Sequence, residues 1–216
     1  MKSELRYGII GAGSMGREHI ENIKVMGGAT VSAISDPHKP SQEAALAMAP
    51  GAKVFSDHRA LIDSGLVDAI IVATPNDTHA AVLKDCLASD SAVFVEKPLA
   101  TTVEDLKSIL AWDEKRSAMT WMGLEYRFMP PVAEAIARAK EGEAGKIHQV
   151  TIREHREPFY PKVDDWNRFA ERTGGTLVEK CCHYFNLMDL VIGQQPVRVF
   201  ASGGQSVNHL DEKYDG

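Results

Sequence analysis

A glycine-rich loop near the amino terminus is the feature that most constrains how this chain can fold. Residues 11–16 read G-A-G-S-M-G, which fits the pattern G-x-G-x-x-G. An apolar run at residues 5–10 precedes the loop and an amphipathic stretch at residues 14–26 follows it, so the loop joins a predicted strand to a predicted helix. Asp36 ends the next predicted strand, twenty residues after Gly16. Together these contexts predict a strand–loop–helix unit that binds a dinucleotide.

Each glycine of the loop is predicted to have its own structural role. Gly11 permits the tight turn, Gly13 lets the backbone approach a pyrophosphate, and Gly16 lets the helix pack closely against the strand. The free N–H groups and the dipole of the helix then hold the phosphate charge. The Asp36 carboxylate can accept hydrogen bonds from the ribose hydroxyls of NAD and would repel the 2′-phosphate of NADP. Lys39 is a nearby cation that could tolerate this phosphate, so the sequence favours NAD and leaves NADP open. The alternative is a glycine-rich turn that binds nothing.

The first half of the chain alternates short apolar runs with amphipathic stretches. The predicted strands are residues 5–10, 29–35, 53–55, 68–73, 91–95 and 118–122, and the predicted helices are residues 14–26, 41–49, 59–64, 78–88 and 102–114. This alternation is typical of a parallel sheet that helices cover on both faces. With right-handed crossovers it predicts an α/β fold with a doubly wound sheet, forming a first domain of residues 1–122.

The pattern changes in the second half. Residues 130–140 and 174–192 are predicted helices, and residues 146–157 and 197–202 are predicted strands. A two-stranded sheet is marginally stable on its own. The sequence therefore predicts an incomplete α+β open-sheet domain over residues 123–216. This domain has to pack on the first domain, on another chain, or on sequence that is absent.

Composition and charge exclude several classes of protein. The 216 residues include 24 Lys and Arg against 30 Asp and Glu, which gives a net charge of −6. This acidic balance argues against non-specific binding to nucleic acid or to an anionic membrane surface. Three cysteines cannot make a disulfide framework and suit a reducing compartment, and the apolar runs are too short to span a bilayer. We therefore expect a cytoplasmic protein whose partner is a small molecule.

Three further motifs make a family resemblance specific. Residues 73–79 read A-T-P-N-D-T-H, residues 96–98 read E-K-P, and the Gly-Gly-Thr-Leu of residues 174–177 is followed by Glu179 and His183. With the glycine loop, these motifs resemble the Gfo/Idh/MocA oxidoreductases, whose members act mainly on sugars, inositols and their derivatives. The resemblance covers the whole chain. It implies hydride transfer between a nicotinamide cofactor and a secondary alcohol of a sugar, inositol or related polyol.

The resemblance also implies a cofactor cleft at the carboxyl ends of the strands, the edge at which doubly wound sheets bind ligands. The predicted cofactor contacts are Gly11, Gly13, Ser14, Met15, Gly16, Asp36, Thr74, Pro75, Asn76, His79, Glu96 and Lys97. For His79, packing at the start of a helix beside the cleft is the alternative.

Lys97, Glu179 and His183 are the catalytic residues that the resemblance implies. Lys97 would hydrogen-bond the substrate oxygen that becomes a carbonyl, and His183 would be the general acid and base on that oxygen. The chemistry agrees, because an ammonium stabilises a developing alkoxide and an imidazole accepts a proton near neutral pH. The four-residue spacing places Glu179 and His183 on one face of a predicted helix, where the carboxylate can orient the ring. A surface ion pair for Lys97 and a structural role for His183 are the alternatives.

Four residues are candidates for substrate binding: Arg127, Trp166, Arg168 and Asn186. A lid or interface role for Trp166 and ordinary ion pairs for the arginines are the alternatives. Cys181 and Cys182 precede His183, but neighbouring side chains on a helix point about 100° apart and no second cluster completes a tetrahedral site. No metal is expected.

The predicted second domain is shorter than the resemblance implies, because family members usually continue well beyond the position of Gly216. Two other functions therefore stay open. One is a dinucleotide-binding protein without turnover. The other is transient oxidation by the cofactor that assists an elimination or a glycoside cleavage. A homo-oligomer is in doubt for the same reason, because the sheet that would build it is incomplete.

Overall fold

A six-stranded parallel sheet forms the first half of the chain in a computed structural model that describes residues 4–155, 157 and 159–204. Its strands are β1 Leu5–Ile10, β2 Ala29–Ser35, β3 Lys53–Phe55, β4 Ala69–Val72, β5 Ala92–Glu96 and β6 Thr120–Gly123. The strand order is β3-β2-β1-β4-β5-β6, and every neighbouring pair is parallel. The order reverses between β1 and β4, the point at which doubly wound sheets bind ligands. The predicted Rossmann-type α/β fold is confirmed.

Five helices cover the two faces of the sheet: α1 Ser14–Met26, α2 Lys39–Met48, α3 His58–Ile62, α4 His79–Cys86 and α5 Val103–Asp113. One apolar cluster packs α1 and α2 against the sheet around Ile20 and Ile34, and a second packs α3, α4 and α5 around Leu83. All four residues of β4 are buried, as expected for a strand covered on both faces. Each fully buried Ile or Leu side chain contributes roughly 1.5–3 kcal/mol to stability, so these clusters stabilise the packing of the helices on the sheet.

Beyond β6 the described residues form helices and no strand. The helices are α6 Pro130–Glu141, α7 Ala170–Thr173, α8 Thr176–Glu179 and α9 Cys182–Ile192. Short 3₁₀ turns lie at Asn76–Thr78, Glu125–Phe128 and Val163–Arg168. None of the described helices is long and apolar enough to cross a membrane.

The two strands predicted for the second half are wrong where the structure describes them. Residues 146–155 and 197–202 run as irregular chain, and neither run pairs with a described strand. Alternating apolar and polar residues give a strand a preferred face, but a strand also needs a neighbour for its hydrogen bonds. Residues 205–216, the end of the predicted second domain, lie outside the described residues.

The single helix predicted over residues 174–192 is two helices. Gly174 and Gly175 precede α8 with φ angles of 82° and 75°, a backbone region that glycine adopts without strain. Between α8 and α9, the N–H of Cys181 donates to the carbonyl oxygen of Thr176, five residues earlier. This wider turn interrupts the regular four-residue bonding of an α-helix. Residues 179 and 183 therefore belong to different helices.

Candidate active site

A cavity of about 860 Å³ lies along the carboxyl edge of the sheet, between the first half of the chain and the helices of the second half. Asp36 and His38 line one part of it, and Lys97, Glu179 and His183 line another. Most of the predicted cofactor residues line this cavity, namely Gly11, Gly13, Ser14, Met15, Asp36, Thr74, Pro75, Asn76, Glu96 and Lys97. The fold therefore brings together side chains that the sequence separates by more than a hundred residues.

Close backbone contacts shape the glycine loop. Gly11 has a φ of 92°, and a Cβ there would lie 2.6 Å from the carbonyl oxygen of Ala73. A Cβ on Gly16 would lie 2.0 Å from the carbonyl oxygen of Gly11. Gly16 does not itself line the cavity, which fits its predicted role of letting α1 pack closely, and its predicted place among the cofactor contacts stays a prediction. A Cβ on Gly13, by contrast, would meet no atom within 4 Å, which leaves open space beside the cavity.

The glycine loop and the residues beside it fit a dinucleotide. Helix α1 has Gly13 as its N-cap, without a capping side chain, and no acidic residue in its first turn, so its N–H groups and dipole favour an anion. The Asp36 carboxylate accepts hydrogen bonds from the backbone N–H of Ala12 and of His38, both at 2.7 Å. These bonds hold the carboxylate beside the loop. The open space and the uncapped helix suit a pyrophosphate, and Asp36 suits a ribose.

Lys97 and Glu179 meet at the other end of the cavity. The Lys97 ammonium donates a hydrogen bond to the backbone carbonyl of Glu179 at 3.2 Å and lies 3.8 Å from Oε1 of the same residue. The Asn76 side-chain amide donates to the other carboxylate oxygen, Oε2, at 3.1 Å. Burial raises the pKa of Glu179, and the charges of Lys97 and Lys162 oppose this rise. The site therefore holds an ammonium and a carboxylate that are both largely shielded from water.

His183 is only 2% exposed and packs against the turn Glu125–Phe128. Its ring stacks on that of Tyr126, with the centroids 4.1 Å apart and the planes inclined by 10°. Nε2 lies 3.6 Å from Oε1 of Glu125, and Nδ1 has no hydrogen-bond partner among the residues that the structure describes. Burial, with the charges of Lys97 and Lys180 as further causes, lowers the pKa of His183 to about 4. The imidazole is therefore neutral near pH 7.

The predicted orientation of His183 by Glu179 is wrong. The Glu179 carboxylate contacts Asn76 and Lys97, and the carboxylate near His183 is that of Glu125. The break between α8 and α9 removes the one-turn spacing on which the prediction was based. Both side chains nevertheless line the same cavity.

His79 lies behind the cavity wall rather than in it. It is fully buried, and its two ring nitrogens lie 2.7 Å from the carbonyl oxygen of Pro98 and 3.1 Å from that of Thr74. Burial lowers the pKa of this imidazole. His79 ties the loop after β4 to the loop after β5, which favours the alternative of packing beside the cleft, and its predicted contact with the cofactor stays a prediction.

Of the four predicted substrate residues, Trp166 lines the cavity. Arg127 Nε donates to Asn186 Oδ1 at 3.0 Å, and neither side chain lines the cavity. Arg168 is buried and donates to the backbone carbonyl of Phe159. Other parts of the chain therefore engage Arg127, Arg168 and Asn186, and their predicted substrate contacts stay predictions.

Two lysines of the site were not predicted. Lys180 is 6% exposed, and its ammonium donates to the Tyr126 hydroxyl and lies 3.3 Å from Oε1 of Glu154. Its position directly after Glu179 was a usable indication. Lys162 donates to the Ser14 hydroxyl at the start of α1. It lies in a loop without a motif, so nothing in the sequence marks it.

Comparison with known proteins identifies the family. Residues 5–124 match the Gfo/Idh/MocA model described as oxidoreductase family, NAD-binding Rossmann fold, and residues 136–215 match the family's C-terminal alpha/beta domain. Inositol 2-dehydrogenase of Rhizobium meliloti is 29% identical over 198 residues, which cover 92% of this chain and 58% of that protein. The chain spans about 60% of the length of the curated relatives it matches.

Solved structures have the same fold. Myo-inositol dehydrogenase from Lactobacillus casei, in complex with NAD(H) and myo-inositol, is 32% identical with a TM-score of 0.61 and covers 64% of this chain and 42% of that chain. Levoglucosan dehydrogenase, in complex with NADH and L-sorbose, has a TM-score of 0.75 over 88% of this chain and 53% of that chain, and at 23% identity it shows the fold alone. The present chain belongs to the Gfo/Idh/MocA oxidoreductase family, and residues 5–124 form the family's NAD-binding Rossmann fold.

Proposed function

We propose that the chain catalyses NAD-dependent hydride transfer to and from a secondary alcohol of a sugar, inositol or related polyol. The observation that carries this proposal is the meeting of Lys97, Glu179 and a neutral His183 in the cavity that the glycine loop and Asp36 also line. The inositol dehydrogenases among the relatives support the substrate class.

Two residues of the chain would have separate chemical roles, one in stabilising charge and one in transferring a proton. Bound NAD⁺ supplies the hydride acceptor. The Lys97 ammonium donates a hydrogen bond to the substrate oxygen and stabilises the negative charge that develops there. The neutral imidazole of His183 accepts the hydroxyl proton and returns it in the reverse direction. Burial of His183 and Glu179 excludes water from the proton transfer.

Glu179 and Asn76 would position Lys97. An ammonium has three hydrogen-bond donors, and the backbone carbonyl of Glu179 accepts one of them at 3.2 Å. The Glu179 carboxylate, fixed by the Asn76 amide, adds an attractive charge at 3.8 Å. The remaining donors of Lys97 are then available to the substrate oxygen. Because Lys97 follows β5 whereas Glu179 and His183 lie in the second half, we also propose that residues 1–122 bind the cofactor and residues 123–216 contribute the proton-transferring side of the site.

Turnover of NAD⁺ with myo-inositol and a panel of sugars, followed as NADH absorbance, tests this function. We expect Lys97→Ala and His183→Ala each to lower kcat/KM by about a hundredfold or more, the range of a lost acid–base or electrostatic group. Both variants should bind NADH as the wild type does, because neither change removes the glycine loop or Asp36. Lys107→Ala, on the exposed face of α5, is the matched control and should keep full activity.

Two results would contradict the proposal. Binding of NADH without turnover of any alcohol would favour a dinucleotide-binding protein without catalysis. Formation of product with no net change in NADH absorbance would favour transient oxidation that assists an elimination or a glycoside cleavage.

A further inference from the structure

Lys162 reaches the glycine loop from the second half of the chain. Its ammonium donates a hydrogen bond to the hydroxyl of Ser14, the first residue of α1, which lies 148 residues earlier in the sequence. The side chain is half-buried and lines the cavity together with Gly13 and Ser14. The ammonium therefore lies at the amino-terminal end of α1, beside the open space at Gly13.

The end of α1 that this ammonium contacts is positive, although the carboxylates of Glu179 and Glu96 also attract the ammonium at longer range. The amino-terminal end of α1 has the positive end of the helix dipole and no acidic residue in its first turn. Arg17 of the same helix donates to the carbonyl oxygen of Ala12 at 3.0 Å, which places a second cation at the loop. Within the described part of the chain, no carboxylate oxygen lies within ion-pair distance of the Lys162 ammonium. Lys162, Arg17 and the amino-terminal end of α1 thus bring positive charge to one place. A bound anion would neutralise it.

The loop that carries Lys162 is fixed by a buried amide. Asn167 is 5% exposed, its Oδ1 accepts a hydrogen bond from the backbone N–H of Lys162 at 3.2 Å, and its Nδ2 donates to the carbonyl oxygen of Tyr160 at 3.0 Å. The backbone of Lys162 is therefore held in place without a ligand. A residue that is already positioned loses less conformational entropy when it binds.

We propose that Lys162 binds the pyrophosphate of NAD together with the glycine loop, and so connects the second half of the chain directly to the cofactor. The loop supplies neutral N–H donors, whereas Lys162 supplies a full positive charge. On binding, a phosphate oxygen replaces the Ser14 hydroxyl as the acceptor of the ammonium. This inference rests on the cofactor of the proposed function, but it depends neither on the alcohol substrate nor on turnover.

Calorimetric titration of the full chain with NADH tests the role of Lys162. We expect Lys162→Gln to raise the dissociation constant about tenfold to a hundredfold, the range for a lost hydrogen bond between charged groups. Lys162→Arg keeps the charge and should bind within about threefold of the wild type, since a guanidinium also binds phosphate. Lys107→Gln removes an exposed lysine of α5, away from the cavity, and should leave binding unchanged. Thermal unfolding of each variant verifies that it is folded.

ADP-ribose, which contains the pyrophosphate but no nicotinamide, locates the contact. Lys162→Gln should weaken ADP-ribose and NADH by the same factor, and added salt should weaken the wild type more steeply than the variant. An unchanged dissociation constant, or a loss confined to NADH, would overturn the inference. If the wild type binds NADH but oxidises no alcohol, the proposed function fails and this inference is judged by the variant alone. If the wild type binds no NADH, both fail.

Discussion

A Cβ added at Gly16 would lie 2.0 Å from the carbonyl oxygen of Gly11, whereas a Cβ added at Gly13 would meet nothing within 4 Å. The packing of α1 therefore requires glycine at position 16 even when the cavity is empty. No atom of the protein excludes a side chain at position 13, so glycine is needed there only to leave space for a ligand. These distances fit the different roles that the sequence motif predicts for the two positions.

Alanine at these two positions should separate stability from binding. Gly16→Ala should lower the free energy of unfolding by roughly 1–3 kcal/mol, because the added methyl group forces α1 away from the loop. Gly13→Ala should cost about 1 kcal/mol or less, the value for glycine against alanine at a helix amino terminus, and yet weaken NADH binding by at least about tenfold. Urea unfolding and calorimetry measure the two quantities. Gly51→Ala, exposed and with no atom within 4 Å of its added Cβ, is the control. Wild-type affinity in Gly13→Ala would contradict the assigned phosphate space.

At the scale of secondary-structure elements, the 3₁₀ turn Asn76–Thr78 after β4 contacts helices of the second half and so joins the two halves of the site. Asn76 is 4% exposed and donates to the carbonyl oxygen of Thr173 in α7 at 3.4 Å and to Oε2 of Glu179 in α8 at 3.1 Å. The neighbouring Asp77 pairs with Arg172 at 3.0 Å, where both side chains are about one-third exposed. A buried donor to a carboxylate contributes more to stability than a solvated ion pair, so Asn76 is the stronger link.

Asn76→Asp should make this link depend on pH. The new carboxylate would face Glu179 without a donor between them, so repulsion would raise its pKa in the folded chain above the unfolded value of about 3.9. A carboxyl group with a raised folded pKa loses stability as the pH rises through that pKa. We expect a deficit in the free energy of unfolding of roughly 1–3 kcal/mol near pH 8, which shrinks toward pH 5. Asp77→Asn should cost less than about 1 kcal/mol at both values. Equal deficits for Asn76→Asp at the two pH values would contradict the contact with Glu179.

The elements that were predicted correctly are those whose pattern of apolar residues is visible in their own stretch of sequence. The four buried residues of β4 appear as an unbroken apolar run, and the position of Lys97 follows from its motif after β5. The strands predicted at residues 146–157 and 197–202 failed because a strand depends on a partner that alternation does not specify. The break before α9 was missed because one wide turn hardly changes helical periodicity. Lys162 was missed because its role arises from a contact across 148 residues.

In the whole molecule, buried imidazoles couple folding to pH. His79 is fully buried and His183 is 2% exposed, and burial is the largest cause of the lowered pKa of each ring. The pKa of His183 falls to about 4, whereas an imidazole in an unfolded chain titrates near ~6.5. Between these values the unfolded chain binds more protons than the folded chain. Stability is therefore fully present above the unfolded pKa and is lost as the pH falls through this window.

His183→Gln should flatten this pH dependence. Lys97 and Lys180 add to the lowering of the His183 pKa, whereas Glu96 and Glu154 oppose it, and Glu125 lies 3.6 Å away. The net shift corresponds to about 3 kcal/mol of stability, which the wild type should lose between about pH 6.5 and pH 4 and the variant should keep. Glu179, whose pKa is raised, acts in the opposite direction in both proteins and does not affect their difference.

Urea unfolding across this range measures the slopes, and His148→Gln, which removes an exposed imidazole, should retain the wild-type slope. Parallel curves for the wild type and His183→Gln would show that His183 titrates alike in the folded and unfolded chains. That result would contradict the lowering of the His183 pKa by burial.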